Sequence, residues 1–472
     1  MMFRLRWLSL VLAGLFAALC FQACHDDNPT QSQASNRPFD TPNGVFVAVG
    51  GDGDGTSANP LGSIQAAIDL ATGDQTADTI YVATGLYSES LVLRSPVMII
   101  GSRYPNFAWQ KASHGVTQIQ GGTVSGLGVA VYMVDISGTV ELQNLEITAA
   151  DAVDSGGSSV GLICTRVASL KIKDCNIKAG RGMQGRNGSN GLPGLDGSQL
   201  NSPTFLGGHW GGGAWPCQGC VGYPGHPGFC PDGSPTGGAG GVPVSVDSMG
   251  LDGYPGQDGV SGTDGAGGSA VPEIFIVKGM QSPKVRVGEN GTDGIAGCGG
   301  GGGAGSPTWT TITHTNGLEY TGGINGGYGG SGGEGGEGGI GGEGGGSSIG
   351  ILSDNSVVVL YSVMLTASRG GNGGNGGAGG TGGKGAPGGS PEKSGIGQGP
   401  SAGYGGSGGQ GGTGGYGGGG AGGATVGILT MHSEISGIGP GSVYLSQPGF
   451  GGAGPGGPGQ NGIHAWLLDI SQ

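Results

Sequence analysis

Eight cysteines, seven histidines and a few acidic pairs are the residues of this 472-residue chain best suited to chemistry. Cys217-Gln218-Gly219-Cys220, with Cys230, His209 and His226 nearby, could hold zinc, whose structural sites favour four Cys or His ligands at short spacings. The same cysteines could instead form disulfides. Cys164, Cys175, Cys217, Cys220, Cys230 and Cys298 make an even number, which in an exported chain reads first as a disulfide framework. Cys164 and Cys175 fall on successive strands of one repeat, so a bridge across adjacent coils is expected. A disulfide inside Cys217 to Cys230 would pin the segment around it.

Among the carboxylates, Asp52-Gly53-Asp54 is the acidic pair that could meet Ca²⁺, an ion that wants six to eight oxygens. The competing reading is a tight turn before a helix. No other pair can be defended as the two facing carboxyls of a glycosidase, so no catalytic residue is assigned and no cofactor is expected. Trp210, Trp215, Tyr223 and Phe229 cluster in a Gly/Pro/Cys-rich insertion with few charges. Such aromatics suit stacking on carbohydrate or contact with another surface protein, or they fill gaps in an insert poor in side chains.

The elements that would carry these residues begin with a leader. Arg4 and Arg6 precede an apolar stretch from Trp7 to Leu19 and then small and polar residues, the layout of a secretory signal. The stretch is too short to span a bilayer as a helix. Phe21-Gln22-Ala23-Cys24 resembles a bacterial lipoprotein box, which implies lipidation at Cys24 and a membrane partner through that anchor. Ordinary cleavage is the alternative. The expected organisation is a signal over 1–23, a polar tether over 24–40, β-rich coils over 41–180, a Gly-x-x and Cys/aromatic insertion over 181–268, and coils alternating with Gly-Gly-x insertions over 269–472. An exported chain at the outer membrane or cell surface, or else secreted, is implied. Eighteen basic against 32 acidic residues, a net charge of −14, leave no basic patch for nucleic acid.

Glycine is 121 residues, far above the usual share of roughly 7%. It falls in phased triplets: G-x-x from Gly182 to Gly197 and from Gly250 to Gly265, then mostly G-G-x from Gly322 to Gly346, Gly370 to Gly389, Gly403 to Gly423 and Gly449 to Gly459. A period of three matches the polyproline-II helix, and tracts of that shape can pack side by side and exchange backbone hydrogen bonds. Flexible linkers and a collagen triple helix are the competing readings. Glu334, Glu337 and Glu343 keep the triplet phase, which would line them along one face and keep it hydrated.

Ile64, Ala67, Ile68 and Ala71 recur at i, i+3, i+4 and i+7, one buried face of a short helix. Short strands follow at 79–83, 91–93 and 97–101. The series GGDGDGT, SIQAAIDLA and DTIYVATGLYSESLVL, with Ile80, Val82, Gly85 and Tyr87 spaced I-x-V-x-x-G-x-Y, resembles the N-terminal region of pectate-lyase-like proteins. That resemblance implies an all-β fold, a right-handed parallel β-helix (solenoid) whose open end is covered by the helix. It implies no particular activity, since the superfamily holds lyases, hydrolases and adhesins.

An internal repeat points the same way. Ser159-Val160-Gly161-Leu162-Ile163, Ser348-Ile349-Gly350-Ile351-Leu352 and Thr425-Val426-Gly427-Ile428-Leu429 each lead, through a second strand, into a glycine tract. A looser copy runs from Ala270 to Val287, an earlier one without an insert from Val129 to Ala149, and Gly462 to Leu468 reads as a final half turn. Such repeats bury their apolar faces only by stacking. The glycine tracts would then emerge on one side. A surface lipoprotein with a structural or adhesive role is the expectation, with a polysaccharide lyase or glycoside hydrolase on the same scaffold as the alternative.

Overall fold

The computed structural model describes residues 44–74, 78–197, 223–232, 234, 238–239, 241–242, 251–277, 280–313, 319–391 and 402–471. The chain is mostly β, and its principal sheets are parallel. A 13-stranded sheet joins Val45–Val47, Thr79–Ala83, Met98–Tyr104, Leu127–Gln143, Ser159–Lys173, Ser348–Asp354, Thr425–Met431 and His464–Asp469 as neighbours along its main path. A six-stranded sheet orders Gly85–Tyr87, Thr117–Gln120, Leu145–Thr148, Asn176–Ala179, Met364–Ala367 and Val443–Leu445 side by side.

Register explains why these segments alternate apolar and polar. Tyr87, Ile119, Ile147, Ile177, Leu365 and Val443 are successive partners across the smaller sheet. Val131, Leu162, Ile351, Ile428 and Leu467 do the same across the larger one. Both columns belong to one apolar cluster. Each fully buried aliphatic side chain contributes about 2–3 kcal/mol relative to exposure. A one-residue slip would turn a whole column to solvent, so the alternation fixes the register.

The chain turns corners at residues with positive φ. Asp135, Arg166, Asn355 and His432 (φ 56°, 53°, 46° and 48°) each follow a registered position, and Asn144, Asp174 and Ser362 (φ 53°, 50° and 53°) form a second set. Asn and Asp tolerate this left-handed region better than most side chains. The helix Ile64–Asp74 packs Ile64, Ala67, Ile68 and Ala71 into the core. Its first N–H groups are held by Glu89, whose carboxylate accepts from Ile64 N–H at 2.7 Å and Gln65 N–H at 3.1 Å, while Ser63 Oγ accepts from Ala66 N–H. These caps satisfy donors that a helix start leaves open.

Ser159–Lys173 pairs directly with Ser348–Asp354, so residues 180–347 are one excursion between two neighbouring strands. Within it Glu273–Val277 and Met280–Lys284 form an antiparallel hairpin in a separate sheet. The segment expected as a looser copy of the repeat is therefore no member of the parallel stack. Parallel neighbours need a long crossover, and two intervening residues permit only an antiparallel return.

The glycine arrays run out from the stack and back as seven tracts: I (182–197), II (251–268), III (288–305), IV (325–346), V (370–391), VI (402–424) and VII (449–462). Backbone hydrogen bonds recur between them at every third residue. Gly185, Gly188, Gly191 and Gly194 of tract I donate to Asn372, Asn375, Ala378 and Thr381 of tract V, a parallel pairing. Gly374, Gly377, Gly380 and Gly383 of tract V donate to Glu343, Ile340, Glu337 and Glu334 of tract IV, antiparallel. Tract VI is bonded on several sides: Gly406, Gly409 and Gly412 donate to tract III, Gly408, Gly411 and Gly414 donate to tract V, and tracts II and IV donate to its carbonyls. A Cβ at Gly412 would sit 2.0 Å from the Val260 carbonyl oxygen, so glycine sets the spacing between tracts. The period of three and the lateral bonding are those expected of packed threefold helices.

Candidate binding surface at the tip of the glycine bundle

In the Gly-x-x tracts the third residue is often Asp or Asn, and its side chain does work the backbone cannot. Asn187, Asn190 and Asp196 of tract I accept the N–H groups of Asn375, Ala378 and Lys384 at 2.8–2.9 Å. Asp252, Asp258 and Asp264 of tract II accept those of Tyr404, Gln410 and Tyr416 at 2.7–2.9 Å. Asn290 and Asp293 of tract III do the same for Gly341 and Gly338. Each pairs a donor that tract packing would otherwise leave open. The signal was visible as Asp and Asn at a fixed phase of the triplet, and its use depends on which tracts are neighbours.

The glutamates of tract IV differ from the expected hydrating row. Glu343, Glu337 and Glu334 carboxylates accept the backbone N–H groups of Arg186, Leu192 and Leu195 at 3.1, 3.2 and 3.3 Å. They bind tract IV to tract I across its exposed edge.

This frame presents tyrosines at the end of the bundle remote from the sheets. Gly253 N–H donates to the Tyr404 carbonyl, Gly327 N–H to that of Gly403 and Gly389 N–H to that of Tyr328. Tyr254, Tyr328 and Tyr404 thus stand at one level on three tracts, 65%, 55% and 55% exposed. Tyr328 and Tyr404 lie about 20 residues from the strands their tracts enter, roughly 60 Å at a rise near 3.1 Å per residue. Residues 223–230 lie along tract III at this end. Gly305, Gly302 and Gly299 donate to Tyr223, His226 and Phe229, whose neighbour Cys230 is disulfide-bonded to Cys298. Tyr223 and Phe229 are exposed there. Trp210, Trp215, Cys217, Cys220 and the lipidation candidate Cys24 lie outside the described residues.

The cysteine pattern departs from expectation twice. Cys230 pairs with a residue of tract III rather than within its own segment, which also removes it as a zinc thiolate. Cys164 and Cys175 are free and buried. Cys164 is in register with Met133 and Ser353, so neither adjacent strand offers it a thiol to bridge to. Burial pushes both thiols up to about 12, far from a reactive thiolate.

Asp52 and Asp54 occupy a turn: Asp52 forms a backbone bridge with Leu61, and the Asp54 carboxylate accepts the Thr56 N–H at 3.1 Å. Among the described residues no group of three or more His, Cys, Asp and Glu side chains is placed to hold a metal.

A second surface was illegible from spacing. On the outer face of the six-stranded sheet Gln118, Glu146, Asn176 and Met364 are in register. Glu146, Asn176 and Met364 border a groove of about 460 Å³ that also receives Lys111, Asn144 and Asp174. Gln118 Nε2 donates to Glu146 at 3.1 Å. Where the tracts leave the sheets, Arg181 pairs with Asp151 at 2.9 Å. Partial burial works to raise the Asp151 pKa, and the backbone N–H and guanidinium of Arg181 overcome it, holding the carboxyl below its ordinary range.

No family model matches the chain, and no curated protein matches it. Among solved structures, the catalytic domain of a GH87 alpha-1,3-glucanase variant in complex with tetrasaccharides is 11% identical, with 88% of this chain and 70% of that one covered and a TM-score of 0.12. A likeness of that size carries no argument about fold or activity.

Proposed function

We propose that the chain is a cell-envelope surface lipoprotein with a structural or adhesive role, binding rather than transforming its partner. In this reading the parallel sheets form a right-handed β-helix, and the glycine tracts form a polyglycine-type bundle that presents its tip to a carbohydrate or another surface protein. The observation that carries it is the level set of exposed Tyr254, Tyr328 and Tyr404 on a rigidly hydrogen-bonded frame. Aromatic faces held at low conformational cost suit sugar stacking and protein contact. Lipidation at Cys24 supplies the anchor. The test is binding of the purified chain to glycan arrays and to whole cells. The Tyr254→Ala/Tyr328→Ala/Tyr404→Ala chain is expected to lose at least about tenfold in affinity, the equivalent of 1.4 kcal/mol. Unchanged binding rejects the tip. A Cys24→Ser chain that still partitions with membranes rejects the anchor.

The groove beside Glu146 favours a second reading, a polysaccharide lyase or glycoside hydrolase, because carboxylates, an amine and amides meet there. It predicts polysaccharide turnover that Glu146→Gln and Asp174→Asn abolish. No turnover across acidic and neutral polysaccharides rejects it.

A further inference from the structure

One lane of the glycine bundle is filled only at its root. Tract VII enters between tracts V and VI: Gly373 and Gly376 N–H of tract V donate to the Phe450 and Ala453 carbonyls at 2.8 Å. Its own Gly449 and Gly452 N–H donate to the Gly423 and Gly420 carbonyls of tract VI at 2.9 and 2.8 Å. The tract then reverses, with Gly457 N–H on the Gly454 carbonyl.

Both rows continue past that reversal. On tract V they are the N–H groups of Gly379, Gly382, Gly385 and Gly388, and on tract VI the carbonyls of Gly417, Gly414, Gly411, Gly408 and Gly405. None of these groups has a hydrogen-bond partner among the described residues. The floor between the rows is bare backbone: a Cβ on Gly379, Gly382, Gly385 or Gly388 would come within 2.0 Å of the Gly414, Gly411, Gly408 or Gly405 oxygen.

Donors on one wall and acceptors on the other, three residues apart, fit an extended chain of three residues per turn that runs parallel to tract V. Tract VII sets its composition. A Cβ at Gly449 or Gly452 would meet the Gly371 or Gly374 oxygen at 1.8 or 1.9 Å, so each residue that donates to tract VI must be glycine. We propose that this lane docks a segment of another protein chain with glycine at every third residue. The contact extends one the chain already makes with its own tract VII, and it is the threefold counterpart of strand addition to an open sheet edge. A second copy is the poorer occupant, because all seven tracts are already bonded within their own bundle. The inference is independent of the tyrosine tip.

Amide hydrogen exchange on the full chain tests it, with a (Gly-Gly-Ser)₆ peptide as the probe. In the free chain Gly379, Gly382, Gly385 and Gly388 should exchange fast while Gly373 and Gly376 are protected. Adding the peptide should slow the four at least about tenfold, and a peptide of equal length with alanine at every glycine should not. A chain with four Gly-Gly-Ser triplets inserted after Ala453 should fill the lane itself, protecting the four amides and abolishing the peptide's effect. Three outcomes overturn the proposal: the four amides are as slow as Gly373 in the free monomer, the peptide leaves them fast, or protection rises with the chain's own concentration as dimer sediments.

Discussion

Leu192 and Glu337, 145 residues apart in sequence, hold each other twice: the Glu337 N–H donates to the Leu192 carbonyl at 2.9 Å, and the Glu337 carboxylate accepts the Leu192 N–H at 3.2 Å. Leu195 with Glu334 and Arg186 with Glu343 repeat the arrangement. The backbone bond alone would leave the second N–H to solvent. Removing the side chain should therefore cost little at one site, about 0.5–1 kcal/mol, and accumulate over three. In chemical denaturation Glu337→Gln, which keeps an acceptor, should stay closer to the parent than Glu337→Ala. Equal losses for the two would reject the side-chain bond.

Glycine in the tracts sets spacing, and the cost of adding a methyl group should follow the space available. At Gly412 a Cβ meets the Val260 oxygen at 2.0 Å, whereas at Gly122 and Gly441 nothing lies within 4 Å. Gly412→Ala should destabilise by about 3 kcal/mol or more, since backbone must move. Gly122→Ala and Gly441→Ala should stay within about 0.5 kcal/mol of the parent. Thermal melts of the three chains decide it. If glycine served only flexibility, all three would be alike.

Much of the fold was legible because burial imposes a period. The helical face Ile64, Ala67, Ile68 and Ala71 and the strand alternation of Leu170-Lys171-Ile172-Lys173 are direct readings of which side meets the core. The triplet phase likewise announced the three-residue recurrence of backbone bonds between tracts. What sequence could not supply was partnership. Asn187 and Asp258 look alike by position, yet one caps tract V and the other tract VI, and only the course of the long excursion decides which. The hairpin Glu273–Lys284 was misread because an apolar strand of five residues looks the same in either pairing direction. Cys164 and Cys175 misled for a related reason: proximity along the chain says nothing about which residue is next in register.

The two buried thiols should make the fold sensitive to alkali. In the unfolded chain each titrates near 9.0, and in the folded chain burial pushes both up to about 12. Between those values the unfolded state has lost protons that the folded state keeps, so stability is full below pH 9 and falls as pH rises toward 12. The slope is about 1.4 kcal/mol per pH unit for each thiol. A Cys164→Ala/Cys175→Ala chain, even if less stable at pH 8, should show a shallower decline over that window. Iodoacetamide at pH 8 should label neither residue in the native chain and both in guanidinium, read by peptide mass. Native labelling would place these thiols at the surface.

The disulfide from Cys230 to Cys298 closes 68 residues and holds 223–230 on tract III. Without it that segment keeps three backbone bonds to tract III, from Gly299, Gly302 and Gly305, beside those that Gly225 and Gly228 make to Gly241 and Gly238. The neighbouring donors Gly297, Gly300 and Gly303 point to tract IV and do not depend on it. Loss of the bridge should therefore act locally. In Cys298→Ser, amide exchange at Gly299, Gly302 and Gly305 should quicken by up to about a thousandfold, the equivalent of the roughly 4 kcal/mol that closing a loop of this length contributes. Exchange at Gly297, Gly300 and Gly303 should hardly change. Uniform quickening along tract III would mean that the bridge supports the whole bundle, and no change at all would mean that the segment is held by something other than the disulfide.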